Sequence, residues 1–257
     1  MASGGDRDAS DAELRAGFET LVITRDAPGP FRGVYEVRIN RPAQRNALSP
    51  VAFAEIPRAM SLLDCAPSAR AVVLSAAVPH FCAGIELGGP GDPLSAASAS
   101  ADPVAAAEGL RRMVLDMQAA LTAIERCQKL VVAAVHGACI DDDGDLVAAC
   151  DIRCCSRDAS FVLKEVDMAI VADLGALQRL PRIVGYGNAA DLALTGRKIT
   201  AMKAKEMGLL VTRVFDSKQD LDAGVTRGGV GTRSARRGGG KPEGAVCFGD
   251  AGRVFEP

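Results

Sequence analysis

Acidic side chains that interrupt apolar sequence are the first candidates for chemistry in this chain. Glu165 and Asp173 stand in the segments Lys164–Met168 and Ala172–Gly175, which are otherwise rich in apolar residues. An ionised carboxylate in a dry site is costly unless it is paired, and its pKa rises toward a value useful for proton transfer. The residues alone favour solvated or salt-bridged carboxylates at these positions, with a catalytic acid or base as the alternative.

A run of small residues forms a second candidate. Ala83 and Gly84 lie within the sequence from His80 to Leu87, soon after the predicted buried strand Ala71–Ser75. Small residues at the end of a strand let a substrate approach backbone N–H groups, and such groups can stabilise an oxyanion. Small residues also form ordinary turns, so this run alone does not distinguish the two.

An acidic segment, residues 136–146, is the third candidate. It contains the Asp run 141–143 and precedes an apolar stretch that could be a helix. The start of a helix presents unpaired N–H groups, and Asp residues there have an ordinary role as caps. The alternate acids also suggest a calcium loop, but that loop needs Gly and Glu where this chain has Leu146 and Ile152. We therefore exclude a calcium loop.

Other common catalytic and cofactor motifs are missing from the sequence. There is no phosphate loop, no G-x-G-x-x-G, no Ser-His-Asp order and no C-x-x-C pair. We therefore predict no metal and no cofactor, and structural roles for His80 and His136. Most of the eight cysteines lie in apolar stretches, which predicts buried, reduced thiols in an intracellular, reducing compartment.

The overall composition excludes several classes of partner. The chain has 257 residues, is 48% hydrophobic and 24% charged, and carries a formal net charge of -2. With no Trp and 4% aromatic residues, it has neither the positive charge nor the stacking side chains typical of nucleic-acid binding. No apolar run approaches the roughly 20 residues that span a bilayer. We expect a globular protein that binds neither nucleic acid nor membrane.

Alternating strands and helices must position these candidates. Apolar alternation and short apolar runs predict strands, and helical spacing of apolar residues predicts helices, including a long one beginning near Asp102-Pro103. This order indicates an α/β fold. We predict a polar arm over 1–16, a core over 17–225 and a disordered Gly/Arg-rich tail over 226–257. The strands are predicted at Thr20–Arg25, Gly33–Ile39, Ala71–Ser75, Leu130–Val135, Asp151–Ser156 and Ser160–Leu163, and the other helices at Pro50–Leu63, Leu146–Cys150, Ala176–Ile183 and Asn188–Leu194.

Four strings of residues, taken together and in order, resemble the enoyl-CoA hydratase/isomerase (crotonase) superfamily. They are Asn40-Arg41-Pro42 with Arg45-Asn46-Ala47-Leu48, then Phe81 to Leu87, then His136-Gly137 through Asp145, and finally Ala149 through Pro181. The last string is most similar to the Δ3,5-Δ2,4-dienoyl-CoA isomerase branch. The resemblance runs from about Thr20 to Phe215.

This resemblance implies a fold, a ligand and a location. The fold is the ClpP/crotonase-like spiral of repeated ββα units, and the ligand is an acyl-CoA thioester of fatty-acid β-oxidation. It further implies a homo-oligomer, a trimer or hexamer, in mitochondria or peroxisomes. Backbone N–H groups of Ile85 and Asp142 would form the oxyanion hole for the thioester carbonyl. The substrate-binding residues implied by the resemblance are Arg45, Ala47, Ala83, Gly84, Glu86 and Leu87.

The resemblance also assigns the acids. The hydratase branch has Glu at the positions of Asp145 and Glu165, whereas Asp173 is typical of the dienoyl isomerase branch. Moving a conjugated diene requires removal of one proton beside the thioester and delivery of another several carbons away, which suits two separated carboxyl groups. Asp173 is therefore implied as the base at C2, Glu165 as the distant acid, and Asp145 as a supporting polar group.

Two departures from the family pattern leave alternatives open. The family has three glycines where this chain has the Asp run 141–143, and its C-terminal helices, which cover the site and build the trimer, are replaced here by the Gly/Arg-rich tail. We therefore keep two alternatives to a dienoyl-CoA isomerase. One is an enoyl-CoA hydratase, and the other is a catalytically impaired binding subunit with the same fold.

Overall fold

A six-stranded sheet in the order β1-β2-β3-β4-β6-β9 organises the chain. The computed structural model describes residues 17–25, 33–86, 88, 102–140, 143–210, 214–227, 231–232 and 246–247. β1 pairs antiparallel with β2, and the remaining neighbours in this sheet are parallel. The strands are β1 (Leu21–Arg25), β2 (Val34–Ile39), β3 (Ala71–Ala76), β4 (Leu130–Val135), β5 (Ala138–Ile140), β6 (Ile152–Ser156), β7 (Ser160–Val162), β8 (Ile199–Thr200), β9 (Val214–Phe215), β10 (Gly231–Thr232) and β11 (Val246–Cys247).

The helices connect and cover these strands. Ser49 caps the first helix by accepting a hydrogen bond from the Ala52 amide, and Asp102 caps the long second helix by accepting from the amides of Val104 and Ala105. Each of these helices also begins with a proline, which suits the first helical position. The helices are α1 (Pro50–Cys65), α2 (Pro103–Arg126), α3 (Asp143–Ala148), α4 (Ala176–Val184), α5 (Tyr186–Thr195), α6 (Ala201–Glu206) and α7 (Lys218–Asp222), with 3₁₀ turns at Pro42–Gln44 and Glu165–Met168 and a π-helical turn at Ala223–Arg227.

Both faces of the large sheet are buried. On β3, Val72 and Leu74 belong to the main core with α1 and α2, whereas Val73 belongs to a smaller cluster that includes Leu221 of α7. Burial on two faces explains why β3 and β4 are continuous apolar runs rather than alternating ones. The predicted α/β fold is confirmed, and the four central strand predictions agree with the structure within one or two residues.

Several sequence predictions differ from the structure or lie outside it. The helix predicted at Leu146–Cys150 is wrong in its bounds, because the helix begins at Asp143 and ends at Ala148. The arm 1–16 lies outside the described residues, as does most of the tail. Within the tail the structure describes one antiparallel pair, β10 with β11. The domain boundaries stay predictions.

The cysteines match their predicted burial with one exception. The seven free cysteines among the described side chains are all buried except Cys65, which is exposed because it lies on the outer side of the last turn of α1. No helix within the described part of the chain is both long and apolar enough to cross a membrane.

Buried His136 provides a test of stability against pH. Its side chain is 2% exposed, and burial, followed by the charge of Lys218, lowers its pKa to about 4. In the unfolded chain a histidine has a pKa of about 6.5, so protons bind the unfolded state more readily. This contribution to stability is complete above about pH 6.5 and is lost as the pH falls toward about 4.

We therefore expect the thermal midpoint of the wild type to fall more steeply than that of His136→Gln between about pH 7 and pH 5. A His80→Gln variant is the control, because it alters the chain's other histidine and keeps His136, to whose lowered pKa the His80 charge contributes least. Parallel midpoint-against-pH curves for the wild type and His136→Gln would contradict this account of His136.

Candidate active site

Three extended segments run side by side and end at the same edge. Cys82 pairs in parallel with Cys139 of β5, and Ile140 of β5 pairs in parallel with Val162 of β7. Parallel neighbours place their carboxyl ends together, which is where α/β proteins hold their ligands. The described residues that follow the three segments are therefore neighbours: the stretch 83–86, the stretch 143–145 and the turn beginning at Glu165.

The backbone amide of Ile85 points away from its neighbouring segment. The Leu48 amide donates to the Gly84 carbonyl at 2.8 Å, and the Glu86 amide donates to the Leu48 carbonyl at 2.9 Å. Successive backbone groups of an extended chain point to opposite sides, so the Ile85 N–H faces the side opposite Leu48. Gly84, with φ of 91°, adopts a left-handed backbone there that favours glycine. This geometry suits a hydrogen-bond donor to a ligand.

Two of the predicted acids are buried, and the helix that carries one packs against the segment that carries the other. Asp145 lies in α3 with no exposure, and Glu165 opens the 3₁₀ turn after β7 with 4% exposure. Gly144 explains how α3 approaches that turn, since a Cβ there would lie 2.7 Å from a methyl carbon of Leu163. A larger residue at 144 would require the Leu163 side chain, two residues before Glu165, to shift.

The third acid, Asp173, lies in the loop before α4 and is more exposed than the other two. Gln118 of α2 donates to its backbone carbonyl at 2.6 Å. Arg179 fixes the same loop by donating to the Leu174 carbonyl at 3.3 Å and forming an ion pair with Glu125 of α2. Burial raises the pKa of the Asp173 carboxyl, and a hydrogen bond from its own backbone partly opposes that rise. A carboxyl with a raised pKa exchanges protons nearer neutral pH.

The loop carrying Arg45 and Ala47 is held by contacts that the sequence analysis did not identify. Asn46 is fully buried and donates to the carbonyls of Ala77 at 2.5 Å and His80 at 2.8 Å. Arg45 and Asn46 both have positive φ, 52° and 60°. Only the Asn40–Leu48 string marked this loop, and it did not reveal these partners. Arg45 is exposed at the surface of the loop, whereas Ala47 is buried.

A cavity of about 390 Å³ opens beside Ile85 and Glu86. Its walls come from the first half of α1, the stretch 85–86 and the middle of α2. They are apolar apart from the carboxylates of Glu86 and Asp116. The lining residues are Pro50, Phe53, Ala54, Pro57, Ile85, Glu86, Met113, Asp116 and Met117.

The structure thus brings most of the predicted site residues to one region. Asp142 and Leu87 lie outside the described residues, as does Asp141. Ala83 is half-buried in the stretch after Cys82, and the Glu86 carboxylate is ion-paired with Arg41. The catalytic and binding roles of all these residues stay predictions. Among the described side chains, no group of three or more His, Cys, Asp or Glu is placed to hold a metal ion.

Comparison with known proteins places this geometry in context. The sequence model of the family described as enoyl-CoA hydratase/isomerase matches residues 31–227. The chain is 52% identical over 219 residues to the peroxisomal Delta(3,5)-Delta(2,4)-dienoyl-CoA isomerase of Arabidopsis thaliana, covering 84% of this chain and 78% of that protein. It is 42% identical over 215 residues to the mitochondrial isomerase of the same name from Homo sapiens, covering 81% of this chain and 62% of that protein.

A solved structure supports the same relationship. The chain superposes with a TM-score of 0.69 and 29% identity on a Thermobifida fusca YX protein assigned as an enoyl-CoA hydratase and solved in complex with acetoacetyl-CoA. The similarity covers 85% of this chain and 81% of that one.

Proposed function

This chain belongs to the enoyl-CoA hydratase/isomerase family, and we propose that it isomerises 3,5-dienoyl-CoA to 2,4-dienoyl-CoA in fatty-acid β-oxidation. Relatives with that activity in their names are peroxisomal or mitochondrial, and we assign this chain to the same compartments. We further propose a homo-oligomer, as the sequence resemblance implies.

The reaction is a proton transfer at two distant carbons. A base removes a proton from C2, the electron pair moves into the thioester carbonyl, and a trienolate forms, with double bonds at C1–C2, C3–C4 and C5–C6. An acid then delivers a proton to C6, and the electrons return as double bonds at C2 and C4. Proton count and charge balance, because one proton leaves C2 and one arrives at C6. The enzyme must therefore stabilise the oxyanion and hold two acid–base groups apart.

The described residues suit those tasks. The Ile85 amide, directed away from Leu48, donates to the thioester oxygen together with the predicted Asp142 amide. Asp173 acts as the base at C2 and Glu165 as the acid at C6, with Asp145 as a polar support. Asp173 lies in the loop docked on α2 and Glu165 on the turn after β7, so two separate elements position the two groups.

The apolar cavity beside Ile85 provides room for the acyl chain. A thioester whose carbonyl rests on the Ile85 amide would direct its chain between α1 and α2, where Phe53 and Met117 form the walls. Burial of methylene groups there contributes about 0.8 kcal/mol each, so the cavity favours acyl-CoA over free CoA. Arg45 and the Ala47 backbone, across the Leu48–Ile85 bridge, would contact the CoA nucleotide.

The observation that carries this proposal is a second acid, Asp173, in addition to the Glu165 position that hydratases also use. Gln118 of α2 holds its loop through the Asp173 backbone carbonyl, and the pKa of its carboxyl is raised. Two sequence features support the alternatives. The pair of acids at 145 and 165 favours an enoyl-CoA hydratase as the second candidate, and the Asp run 141–143 favours an impaired binding subunit as the third.

A side-by-side assay of the purified protein distinguishes these three functions. We expect 3,5-dienoyl-CoA to be converted to 2,4-dienoyl-CoA at a higher kcat/KM than that for hydration of 2-enoyl-CoA. Faster hydration would assign the protein as a hydratase. Binding of both thioesters with no turnover of either would assign it as a binding subunit.

A further inference from the structure

The guanidinium group of Arg41 joins the two chain segments that meet at Ile85. Its Nη1 donates to the Ala47 carbonyl at 2.6 Å, and its Nη2 donates to the Glu86 carboxylate at 2.9 Å. The Arg41 and Glu86 side chains are 16% and 27% exposed, so this pair is half-buried. A guanidinium is planar and holds two acceptors at a fixed angle, which a lysine ammonium cannot do.

These contacts bracket the bridge that orients the Ile85 amide. Ala47 precedes Leu48, and Glu86 follows Ile85, so Arg41 connects the residues on either side of the Leu48–Ile85 pair. The position of Arg41 is itself fixed within the first segment. Its amide donates to the Asn46 side chain at 2.9 Å, and its carbonyl accepts from the Asn46 amide at 2.8 Å.

We propose that Arg41 is a positioning residue, which sets the direction of the Ile85 N–H and couples it to the loop carrying Arg45 and Ala47. This inference rests on the proposed function, since it names a further residue for the same reaction. This coupling has a consequence for catalysis. The loop that contacts the CoA nucleotide and the donor to the thioester oxygen then move as one unit, so binding at one end of the ligand aligns the reacting end.

The geometry of the Arg41 contacts indicates that they align the Ile85 N–H more than they stabilise the fold. A single ion pair that is partly open to water contributes little to the free energy of unfolding. The two backbone hydrogen bonds of the Leu48–Ile85 bridge keep the segments together when Arg41 is replaced, but they leave the tilt of the 84–86 stretch unfixed. A small tilt at a hydrogen-bond donor lowers rate strongly, because transition-state stabilisation depends on its aim.

Four variants test the proposal by kinetics. Arg41→Gln should lower kcat by about 10- to 100-fold and raise KM, because it removes both contacts. Glu86→Gln removes the charge from the contact beside Ile85 and leaves the Ala47 contact, so it should lower kcat with a smaller rise in KM. The double variant should be no slower than Arg41→Gln, because the two residues act as a unit. Arg41→Lys should recover only part of the loss.

The matched control is Arg157→Gln, which removes an exposed ion pair with Asp216 away from these segments. It should keep the wild-type kcat and KM. A wild-type kcat in Arg41→Gln, or additive losses in the double variant, would overturn the proposal. A purely structural role would lower the thermal midpoint and leave the kcat of the folded fraction unchanged.

A spectroscopic test separates this inference from the proposed function. Bound acetoacetyl-CoA absorbs more strongly in the near ultraviolet as its enolate, and a well-aimed oxyanion donor raises the enolate fraction. We expect this absorbance to fall in Arg41→Gln and Glu86→Gln and to persist in Arg157→Gln. If the absorbance changes in this way but the wild type fails to isomerise dienoyl-CoA, the proposed function is refuted and the positioning role is supported. Equal absorbance in all three variants would refute the positioning role.

Discussion

Replacing either proposed acid–base group should lower turnover of 3,5-dienoyl-CoA by roughly 100-fold or more, the usual scale for losing a positioned acid or base. The variants are Glu165→Gln and Asp173→Asn, which keep side-chain size and remove the ionisable group. We expect the loss in kcat rather than in KM, because both groups act on protons and the acyl-CoA contacts remain. Steady-state kinetics with 3,5-dienoyl-CoA measures this directly.

Asp173→Asn should also separate activity from stability. Burial raises the pKa of this carboxyl, so its charged form opposes folding at neutral pH, and that cost disappears below its pKa. The variant should therefore keep or raise the thermal midpoint while losing activity, as expected where a site sacrifices stability for function. In the wild type, activity should decline as the pH falls through the raised pKa of Asp173, since the base must be ionised.

The control for both variants is Asp167→Asn. In the sequence, Asp167 lies between Glu165 and Asp173. It is on the same turn as Glu165 and is exposed, in an ion pair with Lys164. Its loss should change kcat little. Near wild-type turnover in Glu165→Gln or Asp173→Asn would remove that residue from the mechanism, and an equal loss in Asp167→Asn would point to a general disturbance of the turn.

Restoring glycine at residues 141, 142 and 143 together should raise kcat/KM by on the order of 100-fold, the scale of one oxyanion donor. The reason is the predicted place of Asp142 in the oxyanion hole. A carboxylate near that point opposes the charge that develops on the thioester oxygen, and its side chain takes space that a thioester needs. Comparing kcat/KM for the wild type and the triple glycine variant measures the effect.

The opposing possibility is that these Asp residues cap α3, which begins at Asp143, and point away from the substrate. The triple variant would then be no faster, and its thermal midpoint would fall because glycine adds freedom to the unfolded chain. Each variant's rate and midpoint are therefore measured together. An unchanged or lower rate with a reduced midpoint would refute the impaired oxyanion hole.

The central fold was predictable because local and global preferences agree there. Buried β-branched runs predict β3 and β4, and the Asp102-Pro103 pair marks the start of α2, whose cap the structure contains. The region from β8 to α7 was not predicted. Its elements are two to six residues long, so neither strand alternation nor helical spacing has enough residues to appear.

The sequence indicated candidate residues for the site but not the contacts that hold them. Motif order indicated Glu165, Asp173 and Ile85, yet only the structure shows that Gln118 holds the Asp173 loop and that Arg41 contacts both Ala47 and Glu86. Such contacts join residues up to 55 positions apart, and periodicity carries no information about them. Asn46 illustrates the same limit, because its polar side chain indicates a turn while its burial and its two carbonyl partners depend on tertiary packing.

The most direct test of the account is the fate of 3,5-dienoyl-CoA incubated with the protein in deuterium oxide. Two separate acid–base groups predict 2,4-dienoyl-CoA with one deuterium at C6, because the acid that protonates C6 exchanges with solvent independently of the proton taken from C2. Nuclear magnetic resonance and mass spectrometry of the product locate the label. A 2,4-dienoyl product with no deuterium at C6 would contradict the two-acid mechanism, and a 3-hydroxyacyl-CoA product from 2-enoyl-CoA at a higher rate would contradict the isomerase assignment.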